Sequence, residues 1–365
     1  MLNIDFPIHG AILNHRLGRA VPGGLAVEVH GRAPLGGKIA VNGVAARRAG
    51  TEFRAEVVLA AAETDIRAEY QGPEGQAAQT VRVLWDRHSE KRYRFSIDDN
   101  SFFLREIARE RPKSIFDHFY LAILRDLHRA YGVKFTVNVF FATPGNDFTL
   151  AEFPTDYRGE WADNGDWLRL AFHAYAEFPN RPYQNESPGK LAADFDLVAG
   201  EIHRIAGPEA YAPPTVIHWG MCQAEALPVL RDRGVKVLSG FFSRHGDNYD
   251  VCYHLDRRRC EHASRHDAII DWDSGIVFSK VDIVCNSTPI DQIVPKLEPL
   301  TRQPETAEVM DLFTHEQYFF PFYRNFIPDH AQRLDTAIRF VTEQGYKPVF
   351  FHDGFMGGRE PGTGN

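Results

Sequence analysis

Two adjacent carboxylates, Asp98 and Asp99, follow directly on the apolar, aromatic segment YRFSI. Consecutive side chains of a strand point to opposite faces, so both acids can serve one site only if the strand ends at them. Parallel-sheet enzymes place their chemistry at the carboxyl ends of strands, where such a pair could divide the work of a metal ligand and a general base. A structural alternative stays open, because Asp99 or Asn100 could instead cap a helix that begins near Phe102.

Histidines occur at or near the ends of three later segments that have the apolar character of strands. His173 ends LRLAFHA, His218 lies near the end of TVIHWG, and His315 ends VMDLFTH. If these strands run parallel, the three imidazoles and the Asp98–Asp99 pair meet at one rim of the sheet. A carboxylate oxygen with imidazole nitrogens is a ligand set for a divalent ion, zinc first, with nickel and cobalt as alternatives. The pattern therefore predicts a metal site with open positions for water and substrate.

The segments between these residues alternate between strand patterns and helix patterns. Helical periodicity that stops at a glycine predicts helices over residues 114–132 and 191–207. Buried apolar runs predict strands at KFTVNVFF and VKVLSGFF. About seven strands that mostly alternate with helices predict a parallel sheet, closed or nearly closed into a barrel, over residues 89–365. The glycine-rich residues 354–365 are expected to form a flexible tail.

Residues 1–88 have a different sequence pattern from the rest of the chain. Short segments with period-two alternation are separated by turn signals such as Asn42-Gly43. Closely spaced strands with no helical segment among them predict a small β-sandwich, similar to the immunoglobulin-like domains that precede many carbohydrate-active catalytic domains. The charged segment 86–92 is the expected linker. We therefore predict two domains, residues 1–88 and residues 89–365.

Composition argues against several classes of function. The 365 residues include 41 Lys and Arg against 49 Asp and Glu, a net charge of −8, which gives no electrostatic footprint for nucleic acid. No apolar run approaches the roughly 18 residues of a membrane span, and the N-terminus lacks a basic segment followed by an apolar one. The four cysteines form no CxxC pair and are expected to be reduced. We expect a cytoplasmic chain that binds neither nucleic acid nor a membrane, with its oligomeric state left open.

The order of these motifs resembles the polysaccharide deacetylase superfamily with the NodB-homology fold. The resemblance rests on SIDDN, FHAYAEF, IHWG, LFTH and the final strand after EQGYKP, and it covers roughly residues 93–352. It implies a distorted (β/α)7-type barrel, with Asp98 as base and Asp99 as a metal ligand. It also implies that His173 is a second ligand and that His315, which matches the last motif with one extra residue, is the general acid.

Two motifs depart from the family pattern. Glu177 stands where the second histidine of a His-x-x-x-His motif is expected, and His218 lies at or near the place of an arginine. Either side chain could complete the metal site. Glu177 keeps the i, i+4 spacing to His173, whereas His218 keeps the imidazole ligand and comes from another strand. We favour His218 as the third ligand; the structural alternatives are a solvated loop acid for Glu177 and a substrate hydrogen-bonder for His218.

The resemblance implies metal-assisted hydrolysis of an N- or O-acyl group on a carbohydrate or another small-molecule substrate. In this scheme Asp98 accepts a proton from water and His315 protonates the leaving group. Two alternatives stay open: a metal-dependent enzyme of the same fold that acts on a small sugar or amide by proton transfer, and a non-catalytic carbohydrate-binding protein. The candidate substrate contacts are Trp219, Tyr318, Phe319, Phe320, Arg181 and Tyr183.

Overall fold

The computed structural model describes residues 1–353, so the glycine-rich segment 354–365, for which we expected a flexible tail, lies outside the described residues. The described chain is a mixed α/β structure whose first helix begins at Phe102. Within residues 1–353, no helix combines the length and the apolar character that a membrane span requires. All four cysteines are free and buried, in agreement with the expectation of reduced thiols.

The strands of residues 1–85 form two sheets. They are β1 (Asn3–Phe6), β2 (Ile12–Leu13), β3 (Arg19–Val21), β4 (Gly24–Arg32), β5 (Lys38–Val41), β6 (Val44–Ala45), β7 (Arg47–Ala49), β8 (Glu52–Leu59), β9 (Glu63–Gly72) and β10 (Gly75–Trp85). One sheet has the order β1-β4-β8-β7, with β3 paired to β4, and the other has the order β2-β10-β9-β5-β6. Burial alternates along β8, so one face of its sheet packs in the core while the other faces water.

The predicted turn at Asn42-Gly43 joins β5 to β6. Both residues have positive φ angles, 47° and 81°, which is the geometry that favours an Asn-Gly pair in a two-residue hairpin. Buried residues of both sheets belong to one hydrophobic core. Two packed, mostly antiparallel sheets therefore occupy residues 1–85, and their likeness to immunoglobulin-like domains stays a prediction.

The rest of the described chain alternates between strands and helices. The strands are β11 (Arg92–Asn100), β12 (Phe135–Phe140), β13 (Leu168–Ala174), β14 (Val237–Gly240), β15 (Ser243–His245), β16 (Asn248–Asp250), β17 (Ala268–Asp271), β18 (Ile276–Lys280), β19 (Ile283–Val284), β20 (Val309–His315) and β21 (Lys347–Pro348). The helices are α1 (Phe102–Glu110), α2 (Phe119–Tyr131), α3 (Arg158–Asp163), α4 (Pro188–Ala206), α5 (Leu227–Asp232), α6 (Arg257–Ala263), α7 (Ile290–Leu297) and α8 (His330–Glu343).

Strand β11 is the centre of a parallel sheet with the order β13-β12-β11-β20-β19, and β21 pairs with the first residues of β11. All residues of β11 and β12 are buried, as expected for parallel strands covered on both faces. The register places Asp98 of β11 directly beside His315 of β20. The carboxyl ends of these two strands therefore bring the predicted base and the predicted acid together.

A second sheet has three strands in the order β14-β18-β17, with β14 parallel to β18 and β17 antiparallel to it. Two contacts lead from the first sheet to the second. Leu170 of β13 forms a parallel bridge with Tyr211, and the N–H of Ser239 in β14 donates to the carbonyl of Thr215 (2.7 Å). On the other side, β18 is followed closely by β19 of the first sheet. Residues 211–215 thus connect β13 to the second sheet. The short link from β18 to β19 leads back to the first sheet, where β19 pairs with β20.

The strand predicted at TVIHWG does not form. Residues 213–217 lie outside any strand, and His218–Gly220 form a short 3-10 turn in which Trp219 has a φ of 67°. The N–H groups of Thr215 and Ile217 donate to side chains, Oδ1 of Asn138 (3.5 Å) and the hydroxyl of Tyr253 (3.3 Å), instead of to a neighbouring strand. His218 therefore reaches the sheet from a turn.

The predicted linker at residues 86–92 is not a free tether. Asp86 and Arg92, at its two ends, are buried and form an ion pair with an N···O distance of 3.2 Å. Arg92 also pairs with Glu308, and the amide of Asn14 donates to Glu308. The first and second parts of the chain are thus joined by a buried polar contact, and the domain boundary at residue 88 stays a prediction.

Candidate metal centre

Asp99, His173 and His218 bring their ligand atoms within 4.8 Å of one another. Oδ1 of Asp99 lies 3.0 Å from Nε2 of His173 and 3.3 Å from Nδ1 of His218, and these two nitrogens are 3.0 Å apart. Burial alone would raise the pKa of Asp99, but the hydrogen bonds from the two histidines lower it well below its usual range. An ionised carboxylate and two imidazoles that meet at one point can hold a divalent transition ion.

The backbone at the end of β11 directs Asp99 into the site. Asp99 has a φ of 60°, which is rare for a non-glycine residue, and it lies where the pairing of β11 with β12 shifts register between Ile97 and Asn100. Helix α1 begins immediately afterwards, and the N–H groups of residues 101–103 all donate to the carboxylate of Glu316, at 2.6–2.9 Å. Because Glu316 satisfies these donors, Asp99 and Asn100 are not helix caps, and the side chain of Asp99 stays available as a ligand.

Backbone carbonyls orient both histidines. Nδ1 of His173 lies 3.4 Å from the carbonyl oxygen of Val216, and Nε2 of His218 lies 3.2 Å from that of Glu177. A carbonyl oxygen can only accept, so when an ion is held each of these nitrogens would carry the proton, and the other nitrogen of each ring, which donates to Asp99 in the metal-free protein, would offer its lone pair to the ion. Burial lowers the pKa of His173 to about 4, so this ring is neutral at pH 7, as metal binding requires.

Glu177 contributes through its backbone and lies outside the three-donor group. The i, i+4 spacing from His173 brings two side chains together only on a helix, and β13 ends at Ala174 without a helix following it. The carboxyl of Glu177 lines the adjacent cavity, where burial raises its pKa. Of the two candidates for the third ligand, the geometry therefore favours His218.

Asp98 and His315 flank the three donors. Asp98 is only 4% exposed, and its Oδ1 accepts a hydrogen bond from Nδ2 of Asn138 (2.7 Å). Burial raises the pKa of Asp98 well above its usual range. Nδ1 of His315 lies 3.0 Å from Oδ1 of Asn286, which leaves Nε2 on the side of Asp99, 3.8 Å from its Oδ2. Burial lowers the pKa of His315. A buried carboxylate and an oriented imidazole therefore line the same cavity as the three donors.

All five of these side chains line one cavity of about 270 Å³. Arg94 also reaches it from β11; this arginine is buried, forms an ion pair with Asp311 and donates to Oγ of Ser239 (2.5 Å). The remaining walls are mainly apolar and include Val216, Phe241, Val251, Val281, Phe313 and Trp219. The cavity thus combines metal-ligating and proton-transferring groups with a largely apolar enclosure.

Two of the predicted substrate contacts lie at the mouth of this cavity. Trp219 lines it and is 40% exposed. The guanidinium of Arg181 stacks on the Trp219 ring, 5.0 Å from its centroid, and is held by Asp250. Arg181 is therefore engaged within the protein instead of being free for substrate. The ring of Tyr318 lies 5.9 Å from that of His315, at the edge of the site.

Three other predicted contacts belong to the core. Tyr183 is 2% exposed, and its hydroxyl donates to Asp194 (2.9 Å). Phe319 and Phe320 are buried and pack edge-on against Tyr120 and Phe102. Phe319 and Phe320 face the interior because the chain forms a short 3-10 turn after β20, so the predicted aromatic floor for a sugar is reduced to Trp219 and, at the edge of the site, Tyr318.

The residues that orient the site were missed from the sequence. Asn138, Asn286 and Gln317 hold Asp98, His315 and Asp99 respectively; the Gln317 amide donates to Oδ2 of Asp99 (3.3 Å). A signal existed for Asn138, because it interrupts the apolar strand KFTVNVFF. A polar residue at the centre of a fully buried strand needs a buried partner.

No protein-family model matches the chain, and no curated protein matches it. Among solved structures, the Bc1960 peptidoglycan N-acetylglucosamine deacetylase in complex with 4-naphthalen-1-yl-N-oxidanyl-benzamide is similar to this chain with a TM-score of 0.38 and 12% sequence identity. The alignment covers 72% of this chain and 86% of that chain. A TM-score this low carries no argument, so the function has to be inferred from the site itself.

Proposed function

We propose that this chain is a metal-dependent hydrolase that removes an N- or O-acyl group from a carbohydrate. The observation that carries the proposal is the convergence of Asp99, His173 and His218 in a cavity that Asp98 and His315 also line. Metal-assisted acyl hydrolysis uses a metal site with a general base and a general acid beside it. The order of these residues along the chain, similar to that in the polysaccharide deacetylase superfamily, supports the same reading.

The architecture that we propose for residues 89–365 is the distorted (β/α)7-type barrel of the NodB-homology fold, preceded by an immunoglobulin-like sandwich at residues 1–88. The parallel pairing of β13, β12, β11 and β20 supports it, as do the contacts that lead through residues 211–215 to β14 and β18. Active sites of such folds lie at the carboxyl ends of the strands, where Asp98 and His315 are neighbours.

In this mechanism each residue has a defined task. Asp99, His173 and His218 would hold a divalent ion, zinc in our proposal, which when bound would supply a Lewis acid for the acyl carbonyl and for water. Asp98 accepts a proton from the attacking water; Asn138 fixes one of its oxygens, and the raised pKa strengthens it as a base. Proton acceptance and proton donation are each typically worth about 10²- to 10⁴-fold in rate.

His315 serves the leaving group. Its Nδ1 proton is engaged by Asn286, so Nε2 is the atom that takes up and releases a proton. The amine or alcohol that departs needs one proton, and the water that attacks the carbonyl releases one. Transfer from Asp98 to the leaving group by way of His315 therefore balances the reaction without a further proton source.

The test combines metal analysis with product release. Purified protein loaded with zinc, nickel or cobalt is incubated with N-acetylated and O-acetylated sugars, and released acetate is measured. We expect one bound ion per chain and acetate release that Asp98→Asn abolishes while metal content is retained. Bound metal and bound sugar without acetate indicate the carbohydrate-binding alternative, and proton exchange without acetate indicates the proton-transfer alternative.

A further inference from the structure

Three loops meet at the mouth of the cavity. Residues 175–187 follow β13, residues 218–220 form the turn after the missing strand, and residues 241–254 contain the hairpin of β15 and β16. Arg181 of the first loop donates to both carboxylate oxygens of Asp250 in the third loop, at 2.6 Å each. The same guanidinium stacks on Trp219 of the second loop. We refer to Arg181, Trp219 and Asp250 as the mouth cluster.

The backbone of these loops is strained where they meet. Arg181, Trp219 and Val251 have φ angles of 55°, 67° and 51°, in the left-handed region that non-glycine residues seldom adopt. Val251 is β-branched, which makes this conformation especially unfavourable. Strain of this kind persists only where the surrounding contacts impose it, and it concentrates at functional sites. The contacts that surround these residues are the bidentate ion pair, the stacked ring and the N–H groups of Phe241 and Phe242, which both donate to the carbonyl of Val251.

The mouth cluster borders a small space. A volume of about 270 Å³ is slightly below the usual range of ligand pockets, about 300–1,000 Å³. It is less than twice the size of an engineered apolar cavity of about 150 Å³ that binds benzene. The space fits one ring-sized unit with a small substituent. Trp219 and Val251 form part of its wall, so the loops that the mouth cluster ties together also set its size.

We propose that the mouth cluster makes the site selective for a single acylated unit, either a free small molecule or the end of a chain, against the interior of a polysaccharide. This inference rests on the proposed acyl hydrolase function. An interior unit has neighbours on both sides and needs an open groove, whereas the ion pair of Arg181 and Asp250 ties together two loops whose adjacent residues, Asn180 and Val251, line the cavity. Loss of this pair is expected to release the loops and admit longer substrates.

The chain offers a matched control for this ion pair. Arg233 also donates to both carboxylate oxygens of its partner, Asp196, at 2.7 and 2.8 Å. Its guanidinium also lies near an aromatic ring, 6.0 Å from the centroid of Phe195. Asn180 and Val251, which adjoin Arg181 and Asp250 in the chain, line the cavity, whereas no residue adjoining Arg233 or Asp196 does. Arg233→Ala therefore removes an equivalent contact away from the cavity.

The first readout does not depend on any substrate. Hydrogen–deuterium exchange, followed by mass spectrometry, is compared for the full chain and for its Arg181→Ala, Asp250→Asn and Arg233→Ala variants. We expect at least tenfold faster exchange in residues 175–187 and 241–254 for the first two variants and unchanged exchange there for Arg233→Ala. Wild-type exchange in these loops after loss of the ion pair overturns the inference.

The second readout is selectivity. N-acetylglucosamine and its β-1,4-linked dimer, tetramer and hexamer serve as probes, with acetate release and product mass as measurements. We expect kcat/KM of the wild type to be independent of length and only a terminal unit to lose its acetyl group. In Arg181→Ala the ratio of tetramer to monomer kcat/KM should rise at least tenfold. A tenfold rise with length in the wild type overturns the inference; if no sugar is hydrolysed, the proposed function fails and hydrogen exchange alone decides on the mouth cluster.

Discussion

Asp98→Asn and Asp99→Asn should change the stability of the protein in opposite directions, and only Asp99→Asn should lose the metal ion. Asp98 is buried, and burial raises its pKa well above the usual range, so holding its charged form inside the protein costs folding free energy above the pKa of the unfolded chain, near 4. Asp98→Asn removes this charge and keeps an oxygen that can accept from Asn138. We expect the free energy of unfolding to rise by about 0.5–2 kcal/mol, the usual gain when a functional site is relieved of such a cost.

Asp99→Asn should act in the other direction. The hydrogen bonds from His173 and His218 outweigh burial and lower the pKa of Asp99, so its charge stabilises the folded state above the pKa of the unfolded chain, near 4. A hydrogen bond to a charged group contributes about 1.5–3 kcal/mol. We expect Asp99→Asn to lower the free energy of unfolding of metal-free protein by about that amount and to abolish stable metal binding.

The assay uses the two variants as controls for each other. Urea unfolding is measured at pH 7 with chelator present, so that only the apo protein is compared, and metal content is then measured after reloading and dialysis. Asp98→Asn should retain one ion per chain while acetate release falls by about 10²- to 10⁴-fold. Loss of the ion in Asp98→Asn, or full metal content in Asp99→Asn, refutes the division of roles between the two acids.

Three further predictions follow from other contacts. Glu177→Gln should keep the ion and His218→Ala should lose it, as measured by metal analysis; the reverse result makes Glu177 the ligand. Burial lowers the pKa of His330 to about 3, so stability is full above about pH 6.5 and falls by about 1.4 kcal/mol per pH unit below it. In His330→Gln the urea midpoint should therefore fall less between pH 7 and pH 5 than it does in the wild type. An equal fall in both proteins contradicts this prediction. The fragment 86–365 should fold alone if the domain boundary is right. If the fragment is unfolded while the full chain is stable, residues 1–88 are part of the core that the fragment needs.

Strand patterns predicted the site residues where local sequence determines their position. LRLAFHA and VMDLFTH are buried strands, and their last histidines reach the site because parallel strands end at a common rim. His218 lies in the three-donor group although the strand expected there does not form, since the short turn that replaces the strand still delivers the side chain. Residue type was a better guide here than secondary structure.

Contacts between distant loops could not be predicted in this way. The spacing from His173 to Glu177 suggested a shared ion, but spacing has that meaning only on a helix, and the backbone there is a loop. Arg181 looked available to a substrate because nothing local shows that Asp250, 69 positions away, pairs with it. The closure of the second sheet onto the first likewise depends on tertiary contacts that no local pattern encodes.

The central claim is that Asp99, His173 and His218 hold one divalent ion. Its most direct test is an anomalous diffraction map from crystals of the zinc-loaded protein. We predict one peak about 2.0–2.2 Å from Oδ1 of Asp99, Nε2 of His173 and Nδ1 of His218, with Asp98 beside it and not bound to it. A peak coordinated by Glu177 in place of His218, or no peak at this position in protein that binds zinc, contradicts the account.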